Sequence, residues 1–171
     1  IEQVPTPTLS AEDTTPYVLV KVRAFGLNRM DLMQREGQYP IPPGASPIMG
    51  VEFSGEVAAL AQHGAPDLNL GDAVFGLAHG GAYAEYIRVP ASMIWKKDAV
   101  MSWEQAAAVP EAYITALQAL HTLSNLNKGE DVLIHAGASG VGLAAIQLAK
   151  YLGARNVYVT AGTTEKIARC K

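Results

Sequence analysis

The segment from Val132 to Ala161 constrains this chain more than any other. It reads as strand, glycine turn, helix, strand: an apolar run at Val132 to Ala136, a turn at Gly137 to Gly142, an alanine-rich helical pattern from Leu143 to Leu152 closed by Gly153, and a second apolar run at Val157 to Ala161. Strands joined through a helix run parallel, since an antiparallel pair needs only a tight turn. The segment is therefore one βαβ unit of a parallel sheet, and the chain is committed to an α/β fold. The stretch from Val132 to Ala149 carries no charge and reaches the lower limit of a membrane span. Gly137, Gly140, Gly142, His135, Ser139 and Gln147 interrupt it, so it is read as strand and helix rather than as a span.

The turn has the chemistry of a phosphate cradle. Backbone amides at a helix N-terminus, together with the helix dipole, favour an anion, and glycine lets the backbone approach it closely. Against the dinucleotide fingerprint G-x-G-x-x-G, Gly137 and Gly142 match the first and third glycines. Ser139 stands at the second, with Gly140 and Val141 following. Two readings are open, a pyrophosphate site and a tight turn of any α/β protein; the flanking strand and helix favour the first. A P-loop is excluded, because no Gly-Lys-Ser/Thr follows. An NAD site expects Asp or Glu about 20 residues on, to hold the ribose 2′-hydroxyl. Ala161 occupies that place, followed by Gly162, Thr163, Thr164 and Lys166. Small, hydroxyl-bearing and cationic residues accept a 2′-phosphate that a carboxylate would repel, so NADPH is expected over NADH. The same residues would also serve as an ordinary polar helix start, with Lys166 in solvent.

The first half has a different texture. Tyr17 to Arg23 places valines at 18, 20 and 22 on one face, as a strand does, and Gly50 to Val57, Asp72 to Leu77 and Tyr83 to Val89 are further short strands bounded by Gly or Pro. Together they predict a mostly antiparallel β-unit. Gln38 to Ser46 (QYPIPPGAS) is too rich in proline for a helix or a central strand and is expected to be a shaped loop. Ser102 to Gln105 fits a capping box ahead of an alanine-rich helix, Pro110 breaks that helix, and Glu111 to Leu123 continues at helical spacing. Two domains follow, residues 1–110 and 111–171.

Thirteen Lys+Arg against sixteen Asp+Glu, for a net charge of -3, provide no basic footprint for nucleic acid or an anionic membrane. A small molecule is the expected partner. The single cysteine, Cys170, can make neither an internal disulfide nor a multi-cysteine zinc site, which points to a reducing compartment and a cytoplasmic location. No secretory leader is visible, although a chain beginning at Ile1 rather than Met leaves one open. His63, His79, His121 and His135 have no paired metal-ligand spacing; His135 lies beside the glycine turn.

The ordered series FGLNRMDLMQREGQYPIPPGAS, IMGVEFSGEV, GDAVFGL, GGAYAEYIRVP, AAAVPEAYITALQAL and HAGASGVGLAAIQLAK resembles the medium-chain dehydrogenase/reductase superfamily. Within it the chain is similar to the zinc-free, NADPH-dependent quinone oxidoreductases of the zeta-crystallin type, nearest the branch of the p53-inducible quinone oxidoreductase. The resemblance runs from about Val18 to the end, and that branch also carries serine at the second glycine position. It implies a GroES-like, mostly antiparallel β domain followed by the start of a Rossmann doubly wound parallel sheet. Zinc-containing relatives carry cysteine where this chain has Asn28 and histidine where it has Val51, so no metal is expected.

The chemistry then belongs to the cofactor. The resemblance implies that Asn28 and Tyr39 face substrate and nicotinamide, where an amide and a phenol can donate to an oxygen as charge develops on it. It also implies that Thr115 contacts the nicotinamide and that the protein forms a dimer or tetramer. Plainer roles stay open: Asn28 capping a turn, Tyr39 packing on the proline loop, and Thr115 bonding a carbonyl one turn back. Asp31 is expected to cap the segment Leu32 to Glu36. The expected activity is NADPH:quinone reduction. Alternatives are reduction of an alkenal or enone double bond, a non-catalytic nucleotide-binding role, and an inactive truncated product. A doubly wound domain needs two βαβαβ halves and only the first unit precedes Lys171, so the chain reads as incomplete.

Overall fold

The computed structural model describes residues 2–10, 15–61 and 67–171. The chain is α/β and divides into two compact units, Ile1–Pro110 and Glu111–Lys171.

The first unit is built on five strands: β1 (Tyr17–Phe25), β2 (Glu52–Leu60), β3 (Ala73–Leu77), β4 (Tyr86–Pro90) and β5 (Ile94–Lys96). Every pairing is antiparallel, in the order β4-β1-β2-β3-β5. The valine alternation in β1 sets the register. Val18 lies opposite Val89, and Val20 opposite both Ile87 and Val57, so one face of the central strands closes on Phe53, Val74 and Ile94. Val18, Val20, Phe53 and Val74 are fully buried, each such side chain contributing about 1.5–3 kcal/mol of hydrophobic stabilisation.

Several boundaries differ from the sequence expectation, for local reasons. Tyr83 belongs to a turn, its N–H donating to the Met49 carbonyl, so β4 starts at Tyr86. β2 runs on to Leu60 because Val18 and Leu19 of β1 pair with Leu60 and Ala59. β5, only three residues long, was not expected; it pairs Ile94, Trp95 and Lys96 with β3. A helix α1 spans Arg29–Arg35, and its N-cap is Asn28. Asp31 is therefore not the cap. It sits in the first turn and reaches back to the Asn28 N–H. Helix α2 (Trp103–Ala107) opens with the expected box: the Gln105 N–H donates to Ser102 Oγ at 3.2 Å and the Ser102 N–H to Gln105 Oε1 at 2.8 Å.

Helix α3 (Pro110–Leu117) begins on Pro110, where a missing N–H does no harm, and its last turn widens into a π-type turn over Gln118–Leu123. The second unit then supplies β6 (Asp131–Ile134), α4 (Gly140–Tyr151), β7 (Asn156–Val159) and α5 (Thr164–Arg169). β6 and β7 pair in parallel, Asp131 opposite Asn156 through Ile134 opposite Val159. Both strands stop two residues short of expectation because their C-terminal ends turn into loops at His135 and Thr160. α4 starts at Gly140 rather than Leu143, since Ser139 caps it. Ala144, Ala145, Ile146 and Ala149 of α4 bury against Ala116, Leu120 and Ile134. Among the described residues no helix is long and apolar enough to cross a membrane.

Candidate functional site

The glycine turn is shaped by three local contacts. Ala136 adopts a left-handed backbone with φ 53°, which swings the chain off β6. The Gly137 N–H then donates to the Thr160 carbonyl at 2.9 Å, fastening the turn to the end of β7. The Ser139 N–H donates to the Ala136 carbonyl at 2.9 Å, and Ser139 Oγ accepts the Gly142 N–H at 3.0 Å. A Cβ at Gly142 would collide with the carbonyl oxygens of Ala136 and Gly137, and one at Gly137 with Val159 and Cys170. Gly140 faces open space. The first-turn amides of Gly140 and Val141 have no acceptor earlier in the helix, and they point their dipoles along the α4 axis. The serine in the second glycine position is therefore the N-cap of α4.

The end of β7 lies beside it. His135 Nδ1 and Thr160 Oγ1 are 3.0 Å apart, joining the residues that follow the two strands. Thr163 caps α5 and its hydroxyl accepts the Lys166 N–H at 3.3 Å. Lys166 itself is exposed. Gly162 has open space where a side chain would be. The sequence reading passed over Glu165. Its own backbone amide, and then the Thr163 hydroxyl, hold its carboxyl below the usual range, so an anion stands next to Lys166 at the same helix start. Thr115 is on an exposed part of α3 and makes no side-chain hydrogen bond among the described residues.

In the first unit, Asn28 is half-buried between two carboxylates. Its backbone N–H donates to Asp31 Oδ2 at 2.7 Å and its Nδ2 to Glu52 Oε1 at 2.8 Å. Tyr83 donates its hydroxyl to the same Asp31 oxygen at 2.7 Å. Burial, then the Asp31 hydrogen bond and the charges of Asp31 and Glu52, push the Tyr83 hydroxyl well above the usual tyrosine range and keep it a donor. Tyr39 follows α1, is 40% exposed, and its hydroxyl has no partner among the described residues. No hydrogen bond joins Asn28 to Tyr39. The proline loop forms one wall of a cavity of about 560 Å³ whose other wall is β4; Arg88 and His79 line it, while Asn28 and Tyr39 do not. His63 lies outside the described residues. Among those described, no three His, Cys, Asp or Glu side chains gather as a metal site.

Residues 15–99 match the alcohol dehydrogenase GroES-like domain family. Among solved structures, the quinone oxidoreductase from Coxiella burnetii superposes with a TM-score of 0.84 at 38% identity, over 98% of this chain and 53% of that one. A mycobacterial protein complexed with NADPH gives 0.84 at 34%, over 98% and 50%. The CurK enoyl reductase gives 0.83 at 30%, over 98% and 50%. The chain thus spans about half the length of these structures, 36% of the synaptic vesicle membrane protein VAT-1 homolog of Rattus norvegicus and 2% of the polyketide synthase GfsB of Streptomyces halstedii.

Proposed function

Because the chain belongs to the medium-chain dehydrogenase/reductase superfamily through its alcohol dehydrogenase GroES-like domain, we propose that it is part of an NADPH-dependent quinone oxidoreductase that works without zinc. The observation that carries this reading is the glycine turn: a Ser139-capped helix start whose steric demands at Gly142 and open space at Gly140 fit a dinucleotide pyrophosphate. Gly137, Ser139, Gly140, Val141 and Gly142 would hold the pyrophosphate, Gly162 and Lys166 the 2′-phosphate, and Thr115 the nicotinamide side. NADPH, when bound, supplies the hydride. Asn28 and Tyr39 orient the acceptor and donate hydrogen bonds to its oxygen as negative charge develops there. The Tyr39 hydroxyl, without a partner among the described residues, is suited to pass a proton to that oxygen.

The structural likeness to an enoyl reductase favours a second reading, reduction of an enone or alkenal double bond with the same residues. The two separate on acceptor. Steady-state turnover of a small ortho-quinone is expected to exceed that of an alkenal, and the reverse order would establish the second reading. The cofactor assignment is tested by fluorescence titration with NADPH and NADH. Lys166→Ala is expected to weaken NADPH much more than NADH, and equal losses would remove Lys166 from the 2′-phosphate site. A homo-oligomeric, cytoplasmic protein of the zeta-crystallin type, nearest the p53-inducible branch, completes the proposal.

A further inference from the structure

Two carboxylates from different elements converge on Asn28. Asp31 and Glu52 are 5% and 3% exposed, and a carboxylate so far withdrawn from water is costly unless its oxygens meet donors. Asp31 Oδ2 meets two, the Asn28 backbone N–H and the Tyr83 hydroxyl, while its buried Oδ1 meets none among the described residues. Glu52 Oε1 meets the Asn28 side-chain amide. Two glycines clear the space for this arrangement. A Cβ at Gly26 would fall on the Glu52 carboxyl group, and one at Gly50, where φ is +90°, on the Tyr83 ring. Phe25 packs on that ring at 4.6 Å between centroids.

An asparagine amide has two faces, one accepting and one donating, and nothing in its own shape chooses between them. Here Glu52 Oε1 accepts from Nδ2 at 2.8 Å, which selects one of the two orientations. We propose that Glu52 is the positioning residue for Asn28: it takes one amide hydrogen and so leaves the second in a fixed direction for the acceptor, while Asp31, braced by Tyr83, fixes the main chain at the same residue. This rests on the reading that Asn28 faces the acceptor. In this arrangement Glu52 acts on the acceptor through Asn28.

The test uses the protein at full length. In ¹⁵N–¹H spectra the Asn28 side-chain amide is expected to show one slowly exchanging, downfield hydrogen in the wild type. That signature should be lost in Glu52→Ala and retained in large part in Glu52→Gln, whose carbonyl still accepts. With NADPH and a small quinone, Glu52→Ala is expected to lower kcat roughly ten- to a hundredfold with little change in NADPH affinity, because misaimed groups lose rate before they lose binding. Glu52→Gln should recover most of that loss. On an Asn28→Ala background, Glu52→Ala should cost nothing further, which a merely structural role would not produce. If Glu52→Ala does not fold, Glu52→Gln alone and on the Asn28→Ala background carries the same comparison. An amide without the signature in the wild type, or losses that add independently in the double variant, overturns the proposal. A wild type with the signature that reduces neither quinone nor enone overturns instead the functional reading on which it rests.

Discussion

Gly142 and Glu165 show how single residues set the properties of the glycine turn and of the helix start beside it. Gly142→Ala would drive a methyl group into two backbone oxygens that have no freedom to move, so a loss of about 1–3 kcal/mol is expected in denaturant unfolding, together with loss of NADPH binding. Gly140→Ala, which meets open space, should be mild in both measurements. Glu165→Gln removes the anion beside Lys166, and titration is expected to find tighter NADPH binding with NADH unchanged. A ratio unaltered by this substitution would place the 2′-phosphate elsewhere. Tyr83 offers a check on the buried carboxylates. Its hydroxyl is raised above the usual tyrosine range, so its contribution is complete below that range and is lost as pH rises through the raised value. Ultraviolet titration of the seven tyrosines should therefore show one that ionises later than the others or only on unfolding.

At the scale of elements, the short parallel pair β6–β7 is tied at its N-terminal end by Asp131. The Arg155 guanidinium, bonded at 2.9 and 3.0 Å, holds the Asp131 carboxyl below the ordinary range, and Asn156 adds a further hydrogen bond. A lowered carboxyl stabilises the fold above its unfolded value and loses that effect as pH falls through the lowered one. Urea midpoints followed from about pH 6 down to about pH 3 should fall more steeply for the wild type than for Asp131→Asn. How legible each element was depends on where its partners lie. The valines of β1, the Ser102–Gln105 box and the strand–turn–helix–strand text all express local periodicity or capping, and each formed where the sequence placed it to within a few residues. β5 has only three residues and no period to read. At α1 the capping role that the sequence leaves open for Asn28 is the one observed, while Asp31, expected as the cap, lies in the first turn, because the two residue types can exchange these roles. The Asn28, Asp31, Glu52 and Tyr83 cluster was invisible because its hydrogen bonds span up to 52 positions and join three separate segments. Ser139 departs from the general fingerprint but not from the resembled branch, and its role as the cap of α4 follows from the geometry.

For the whole molecule, the proposed cofactor binding can be read as a change in stability. A ligand that binds only the folded chain at a concentration about 100 times its dissociation constant adds about 2.7 kcal/mol of stability. Thermal unfolding should therefore shift upward with NADPH and much less with NADH, and no shift with either would remove the dinucleotide assignment from this chain. The sheet order of the first unit bears on how such a chain is made. Its first strand, β1, lies inside the sheet, between β2 and the much later β4, while the last strand, β5, closes the far edge. A chain emerging from the ribosome would have to hold β1 half-paired until Pro90 is available, and the edge at β3 open until Lys96 appears. Pairings so distant in sequence form slowly, and open edges invite the wrong partner. Synthesis that pauses between β3 and β4 would thus be the point at which this protein most needs a chaperone.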